Sequence, residues 1–334
     1  MRQRHSRRCS LFGFALAVLV AAAPSADAQR NLAEEGALFL LLPVGARSVG
    51  MGQAVVADQQ GSEAVWWNPS AIAHSDRREA AIHHSQSIVG TGDAITLVIP
   101  SSLLGVLAAS VNILDYGEQD ITDVDVPGGE PIGKLIPRSF IYAVTYATPI
   151  GSRLSAGITY KILQFNLGCN GDCRDVPTFS ASSSALDFGA QYGLKGKYPL
   201  AFGVAVRNVG IRLQVNDSPQ SDPLPTRIQL GAQYALVPPE RFVRETEVRL
   251  ALDLIDELSA RSPSARVGTD IVFQKRAHLR AGYLFEGGDS EGGGPAVGLG
   301  LVSGSIVFDI ARVFTGLSAD AGQAPTYLSL RVLF

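Results

Sequence analysis

The sequence predicts an all-β fold: a transmembrane antiparallel β-barrel of about fourteen strands with an N-terminal plug or hatch segment. Three observations predict it. Apolar residues recur with period two over stretches of about the nine to eleven residues that a tilted strand needs to cross a bilayer. The opposite faces carry Arg, Asp, Glu and Gln mixed with Gly, as a wet barrel interior would. The connections between stretches alternate in length, a sorting for which a soluble sandwich has no reason. Composition agrees: at 46% hydrophobic and 18% charged, the 334 residues are too apolar and too sparsely charged for disorder. A net charge of −3 argues against a nucleic-acid binder, which usually shows a basic face.

Taken in order, the chain starts with Arg2, Arg4, Arg7 and Arg8, an apolar run from Leu11 to Ala23, and small residues at Ala26 and Ala28. Residues 1–28 therefore read as a cleaved secretory signal peptide, which sends the mature chain to the envelope. Residues 29–78 do not alternate and form the plug or hatch segment, and the barrel occupies 79–334. Its strands are expected at about 79–89, 94–100, 103–113, 138–148, 153–165, 184–194, 200–209, 226–236, 244–255, 265–273, 277–286, 296–302, 305–314 and 325–334. In the eighth, Ile228, Leu230, Ala232 and Tyr234 alternate with Arg227, Gln229, Gly231 and Gln233. In the ninth, Val248, Leu250, Leu252 and Leu254 alternate with Glu247, Arg249, Ala251 and Asp253. Pro100-Ser101-Ser102, Thr148 to Ser152, Lys195 to Pro199, Gln274 to Arg276 and Ser303-Gly304 make short turns at one end. Connections 114–137, 166–183, 210–225, 256–264, 287–295 and 315–324 are long and lie at the other; Gly90 to Asp93 is a short exception there. The last strand places Leu328, Leu330, Val332 and Phe334 on one face. A terminal aromatic at Phe334 resembles the signal read by the outer-membrane assembly machinery.

Phe39-Leu40, Gly45-Ala46-Arg47, Gly50-Met51-Gly52-Gln53-Ala54 and Trp67-Asn68-Pro69-Ser70 form a block rich in small residues. The block resembles the N-terminal region of the PorV/PorQ family, part of the wider FadL-like group of outer-membrane barrels. Ser70 stands where that family usually has Ala, and Gln53 where a third glycine is common. The resemblance implies a barrel in the outer membrane, surrounded by its lipid, whose hatch, marked by Arg47, Gly50, Gly52, Asn68 and Pro69, folds inside. It also implies a role with type IX-like secretion-system components or secreted cargo. The alternative within the same group is a FadL-like channel for hydrophobic small molecules, with a hydrophobic ligand as partner. The outer connections LDYGEQDITDVDVPGGE, NDSPQSDPLP and EGGDSEGGG are polar and acidic, which places the secretion reading first.

Remaining residue sets refine this picture. Cys169 and Cys173 form a disulfide by default in an oxidising compartment, shaping a short loop more than stabilising the fold. His83 and His84 point to opposite faces of a strand and do not chelate together, so no metal is expected. Asp115, Glu118, Asp120, Asp123 and Asp125 read as a solvated acidic loop without an EF-hand pattern. No nucleophile motif is present; neither an enzyme nor a cofactor is expected. The inward faces carry Asp187, Gln191, Arg207, Arg227, Gln229, Glu247, Arg249, Asp253, Asp270, Arg280, Asp309 and Arg331. Charges of both signs in a narrow lumen are expected to pair with each other or with the hatch. Arg47 is read as the one charge in the buried part of the hatch, bonded to a lumen carboxylate or to hatch carbonyls.

Overall fold

The computed structural model describes residues 35–58, 61–122, 130–173, 178–194, 199–215, 221–236, 245–257, 263–286 and 292–334. The signal peptide read in 1–28, the first residues of the 29–78 segment, and Asp123 and Asp125 lie outside them.

The described chain is a closed antiparallel barrel of 14 strands. They are β1 (Glu79–Gln86), β2 (Thr91–Ser101), β3 (Gly105–Asp115), β4 (Pro131–Ile150), β5 (Leu154–Gly171), β6 (Phe179–Leu194) and β7 (Leu200–Gly210). They continue as β8 (Arg227–Leu236), β9 (Thr246–Glu257), β10 (Ser264–Phe273), β11 (Ala277–Phe285), β12 (Gly294–Ser303), β13 (Ile306–Val313) and β14 (Thr326–Leu333). Each pairs with its neighbours, and β14 returns to β1 in a register running from Glu79 opposite Leu333 to Gln86 opposite Thr326. Closure leaves no strand edge, which is what lets every wall backbone group be satisfied in lipid.

Alternation sets the facing. On β2, Ile95, Leu97 and Ile99 are exposed on the outside, while Ala94, Thr96 and Val98 are buried inside. Leu230, Leu250, Leu252 and Leu254 share the outer surface with Ile95 and its neighbours. Phe334 extends this face, and its backbone pairs with Arg78 in both directions, at 2.9 and 3.2 Å.

The wall is uneven. The strands β4, β5 and β6 have 20, 18 and 16 residues, while β1 and β14 have 8 each. Gln119–Thr122 adds to the top of the wall by pairing with β4. Much of what the sequence presents as long outer loops, 114–137 and 166–183, is therefore strand. The reason is physical: these extensions stand above the hydrocarbon layer, where nothing enforces an apolar outer face. Asp115–Arg138 (2.9 Å) and Glu118–Lys134 (2.6 Å) tie them together. Cys169 and Cys173 are joined near the top of β5. At the opposite end the turns are short, apart from the connection 237–245 between β8 and β9.

Inside the wall lies the hatch: a 3-10 turn at Leu38–Leu41, helix α1 (Ala46–Gly50), and 3-10 turns at Gly61–Trp66 and Pro69–His74. Met51, Val55, Val56, Ala64, Ile72 and Trp67 are buried there.

Candidate functional site

The hatch holds itself together through its polar residues. Gly45 precedes α1 with φ at 98°, and a Cβ there would fall 2.3 Å from the Glu63 carboxyl carbon. With no side chain at that cap, Glu63 supplies the acceptors: it takes the Ser48 N–H at 3.0 Å, the Ser48 hydroxyl at 2.7 Å and the Arg47 N–H at 3.4 Å. Asn68 caps the turn that starts at Pro69, accepting from Ser70 N–H at 3.1 Å, while its amide donates to Val56 O at 2.7 Å. Ser70 donates its hydroxyl to Asn68 Oδ1 at 2.7 Å and so reinforces the cap.

The wall receives the hatch on glycines. A Cβ at Gly203 would fall 2.2 Å from Val56 O, at Gly268 2.2 Å from Met51 O, and at Gly282 2.2 Å from Gly52 N. Gly298 and Gly50 meet backbone to backbone, as do Gly157 and Pro69. Inward glycine, which the sequence suggested was the mark of a wet lumen, is here the docking surface for hatch backbone. Gly203→Leu and Gly282→Leu are accordingly expected to cost about 1–3 kcal/mol by overpacking. Limited proteolysis checks this: residues 36–73 should become cleavable in both variants while the wall stays resistant.

Inward charges complete the contact. Asp253 Oδ2 accepts the N–H groups of Val55 and Val56 at 2.7 and 2.9 Å and the Gln229 amide at 2.9 Å. Gln191 donates to Val56 O at 2.9 Å and Asp58 O at 3.1 Å. Arg207 donates to Trp66 O at 2.9 Å and Gln229 Oε1 at 3.2 Å, and its guanidinium lies 5.3 Å from the Trp67 ring centre. Arg227 sits opposite Arg207 in the β7–β8 register. Asp187 pairs with Lys161 at 2.6 Å, and Glu247 with Arg249 at 2.8 Å.

Six further charged or titratable lumen residues form one network. Arg280 spans Asp309 (2.6 Å) and Asp270 (3.3 Å), Asp270 also meets His278 at 3.0 Å, and Arg331 reaches Asp309 at 3.3 Å and Glu79 at 3.7 Å. Arg47 enters this network from the hatch, 3.9 Å from Asp270.

One expectation needs correcting here. Arg47 is not the only buried hatch charge, and its closest partner is neither a lumen carboxylate nor a hatch carbonyl. It bonds to Asp58 of the hatch itself, and Asp58 and Glu63 are as deeply buried as Arg47. Burial works against the charge on Arg47, but Asp58, Asp270 and Glu63 together hold its pKa above the ordinary arginine value. Asp58, Glu63, Lys161 and Glu79 are the site residues that sequence reasoning missed. The inward parity of Lys161 with Leu163 and of Glu79 with Ala81 was the available signal.

Two hollows remain above the network. One, of about 540 Å³, lies at the end with the tall strands, between the start of the hatch (Gly36–Phe39, Leu42) and Val89, Tyr116, Phe165, Phe179 and Leu213. Phe165 packs its ring against Tyr116 at 6.2 Å and Phe179 at 5.8 Å. The other, of about 30 Å³, is deeper, between the hatch and β1 to β4. Among the described residues no group of three His, Cys, Asp or Glu could hold a metal ion.

This geometry is that of a closed antiparallel β-barrel whose lumen is filled by its N-terminal hatch. No family model matches the chain, and no curated protein does. Solved structures match in fold. The Pseudomonas putida toluene transporter TodX aligns with a TM-score of 0.56 and 11% identity over 87% of this chain and 98% of its own. The CymD monoaromatic hydrocarbon channel aligns at 0.54 and 13%, over 88% and 98%. The Ralstonia pickettii toluene transporter TbuX aligns at 0.52 and 12%, over 87% and 98%. The PorV/PorQ resemblance gains no match from these comparisons.

Proposed function

We propose that the chain is a channel for small hydrophobic molecules across the outer membrane. The cavity of about 540 Å³ at the outer end carries this reading. Its size suits one small ligand, and aromatic and aliphatic side chains dominate its walls. The sequence offered no long apolar loop for capturing such a ligand. The apolar surface is assembled instead from strand residues (Phe165, Phe179), the residue after β3 (Tyr116) and the hatch (Leu38, Phe39). A lumen filled by the hatch and its ion pairs suits an apolar solute that needs no aqueous pore. The fold shared with toluene transporters supports the reading without fixing the substrate. The secretion and cargo-handling reading rests on the hatch motif and the polar outer connections, and no cavity described above adds to it.

Uptake of labelled toluene by cells with an intact lipopolysaccharide outer membrane tests the proposal. Cells carrying the chain should take up toluene faster than cells without it. Phe165→Asp, which puts a carboxylate into the cavity, should slow uptake on the order of tenfold. Equal uptake with and without the correctly inserted protein would contradict it.

A further inference from the structure

The two ends of the barrel carry opposite charge. The connections at the inner end, where the short turns lie, hold nine Lys or Arg against three Asp or Glu when the approach to β1 from 74 to 78 is included. Those at the outer end hold three Lys or Arg against thirteen Asp or Glu. The basic side chains also differ in what they meet. At the outer end Lys134, Arg138 and Arg266 are each held by a carboxylate, at 2.6, 2.9 and 2.6 Å. At the inner end Arg78, Lys275 and Arg276 are exposed, and their side chains have no hydrogen-bond or acidic partner among the described residues.

These three cations stand where the lipid-facing surface stops. Arg78 precedes β1, and its backbone pairs with that of the exposed Phe334. Lys275 and Arg276 come two and three residues after the exposed Phe273, which ends β10. The turn that presents them is held firmly: Arg276 N–H donates to Phe273 O at 2.9 Å, and Val302 N–H to Arg276 O at 2.7 Å. Gln274 and Lys275 take φ values of 50° and 55° in it, a backbone that suits glycine or asparagine better than lysine. Local backbone preference therefore does not account for a lysine at 275.

We propose that this inner rim binds anionic phospholipid of the inner leaflet. Arg78, Lys275 and Arg276 take the headgroup phosphates, and Phe273 and Phe334 sit among the upper parts of the acyl chains. The surface is continuous with the lipid-facing band, and its charge complements a phosphodiester. Long cationic side chains at such a border reach the headgroups while their stems stay against apolar surface. Arginine adds a fork that matches phosphate oxygens. The inference goes beyond the channel reading and does not depend on it. The rival occupant is an acidic protein on the inner side, which would leave the rim indifferent to the lipid headgroup.

Phosphatidylglycerol and phosphatidylethanolamine with the same acyl chains separate these cases. Each is titrated into the full mature chain, folded in mild detergent, and bound lipids are counted by native mass spectrometry. The wild type should prefer phosphatidylglycerol. Lys275→Gly should lower that preference roughly fivefold, the effect of one basic side chain near an anionic headgroup. Glycine suits the positive φ at 275, so this variant removes the charge without loosening the turn. Arg276→Gln and Arg78→Gln should act alike, with folding of each verified by heat-modifiable migration. Lys134→Gln, which removes one cation from the outer end, should keep the wild-type preference. Equal binding of the two lipids by the folded wild type overturns the proposal. So does a preference that survives Lys275→Gly, or one that falls as far in Lys134→Gln, which would make it an effect of net charge.

Discussion

Leu250→Arg will impair assembly of the barrel in bilayers, at a cost of about 2–4 kcal/mol. Leu250 lies mid-strand on β9, on the lipid-facing side, with Leu252 and Leu254 above it and Tyr234 of β8 opposite. An arginine there must drag its charge into hydrocarbon or distort the wall to reach the interface. Leu230→Arg on β8 should behave alike. Urea unfolding from lipid vesicles, read by heat-modifiable migration, gives the number. Normal folding of either variant would mean that the facing of β8 and β9 is inverted. The inward face is not a refuge from such changes. A Cβ at Gly231 would fall 2.2 Å from Asp253 Oδ1 and 3.2 Å from Ala57 N, so Gly231→Arg collides with the hatch support.

Asp270→Ala is expected to cost about 3–5 kcal/mol, the penalty for stranding a buried opposite charge. Asp270 is fully buried and stands between Arg280, His278 and Arg47. Its loss leaves Asp309 to Arg280 and Arg331 together, and leaves Arg47 with Asp58 alone as a close partner. The hatch should loosen before the wall does, because Arg47 is its link to the network. Hydrogen exchange distinguishes the two: amides of 46–58 should lose protection in Asp270→Ala while those of β9 to β11 keep theirs. A variant as stable as the wild type would show that the network is dispensable.

The parts of this molecule that touch lipid were legible in its sequence, and the parts that touch the hatch were legible only in outline. Lipid enforces a strict period of two, so Ile95, Leu97 and Ile99 declare both strand and facing. Above the membrane that constraint ends, and the extensions of β4 to β6 read as loops. Inside, Asp253, Asp270, Arg280 and Asp309 stood out as inward charges because they interrupt alternating strands. What each would meet could not be read. Partners such as Asp58 and Glu63 lie in a non-repeating segment, and sequence distance hides the pairing of Val55 with Asp253 across 198 positions. Inward glycine was misread because a bare backbone position serves an open lumen and a docked hatch equally well. The outer cavity was invisible for the same reason, since no single segment contains it. Tyr116, which follows β3, and Phe165 and Phe179, on β5 and β6, meet only when strands far apart in sequence pair side by side.

Single-channel recording in planar bilayers tests most directly whether the hatch fills this lumen. Intact protein and a variant lacking residues 36–73 are compared after proper insertion of both has been verified. The intact barrel should be electrically silent, since Gly203, Gly268 and Gly282 leave no gap against the hatch backbone and the lumen charges are paired. The truncated barrel should conduct in steady ohmic steps. Equal conductance of the two would contradict the closed lumen and would return the inward glycines and charges to the role of a water-filled pore.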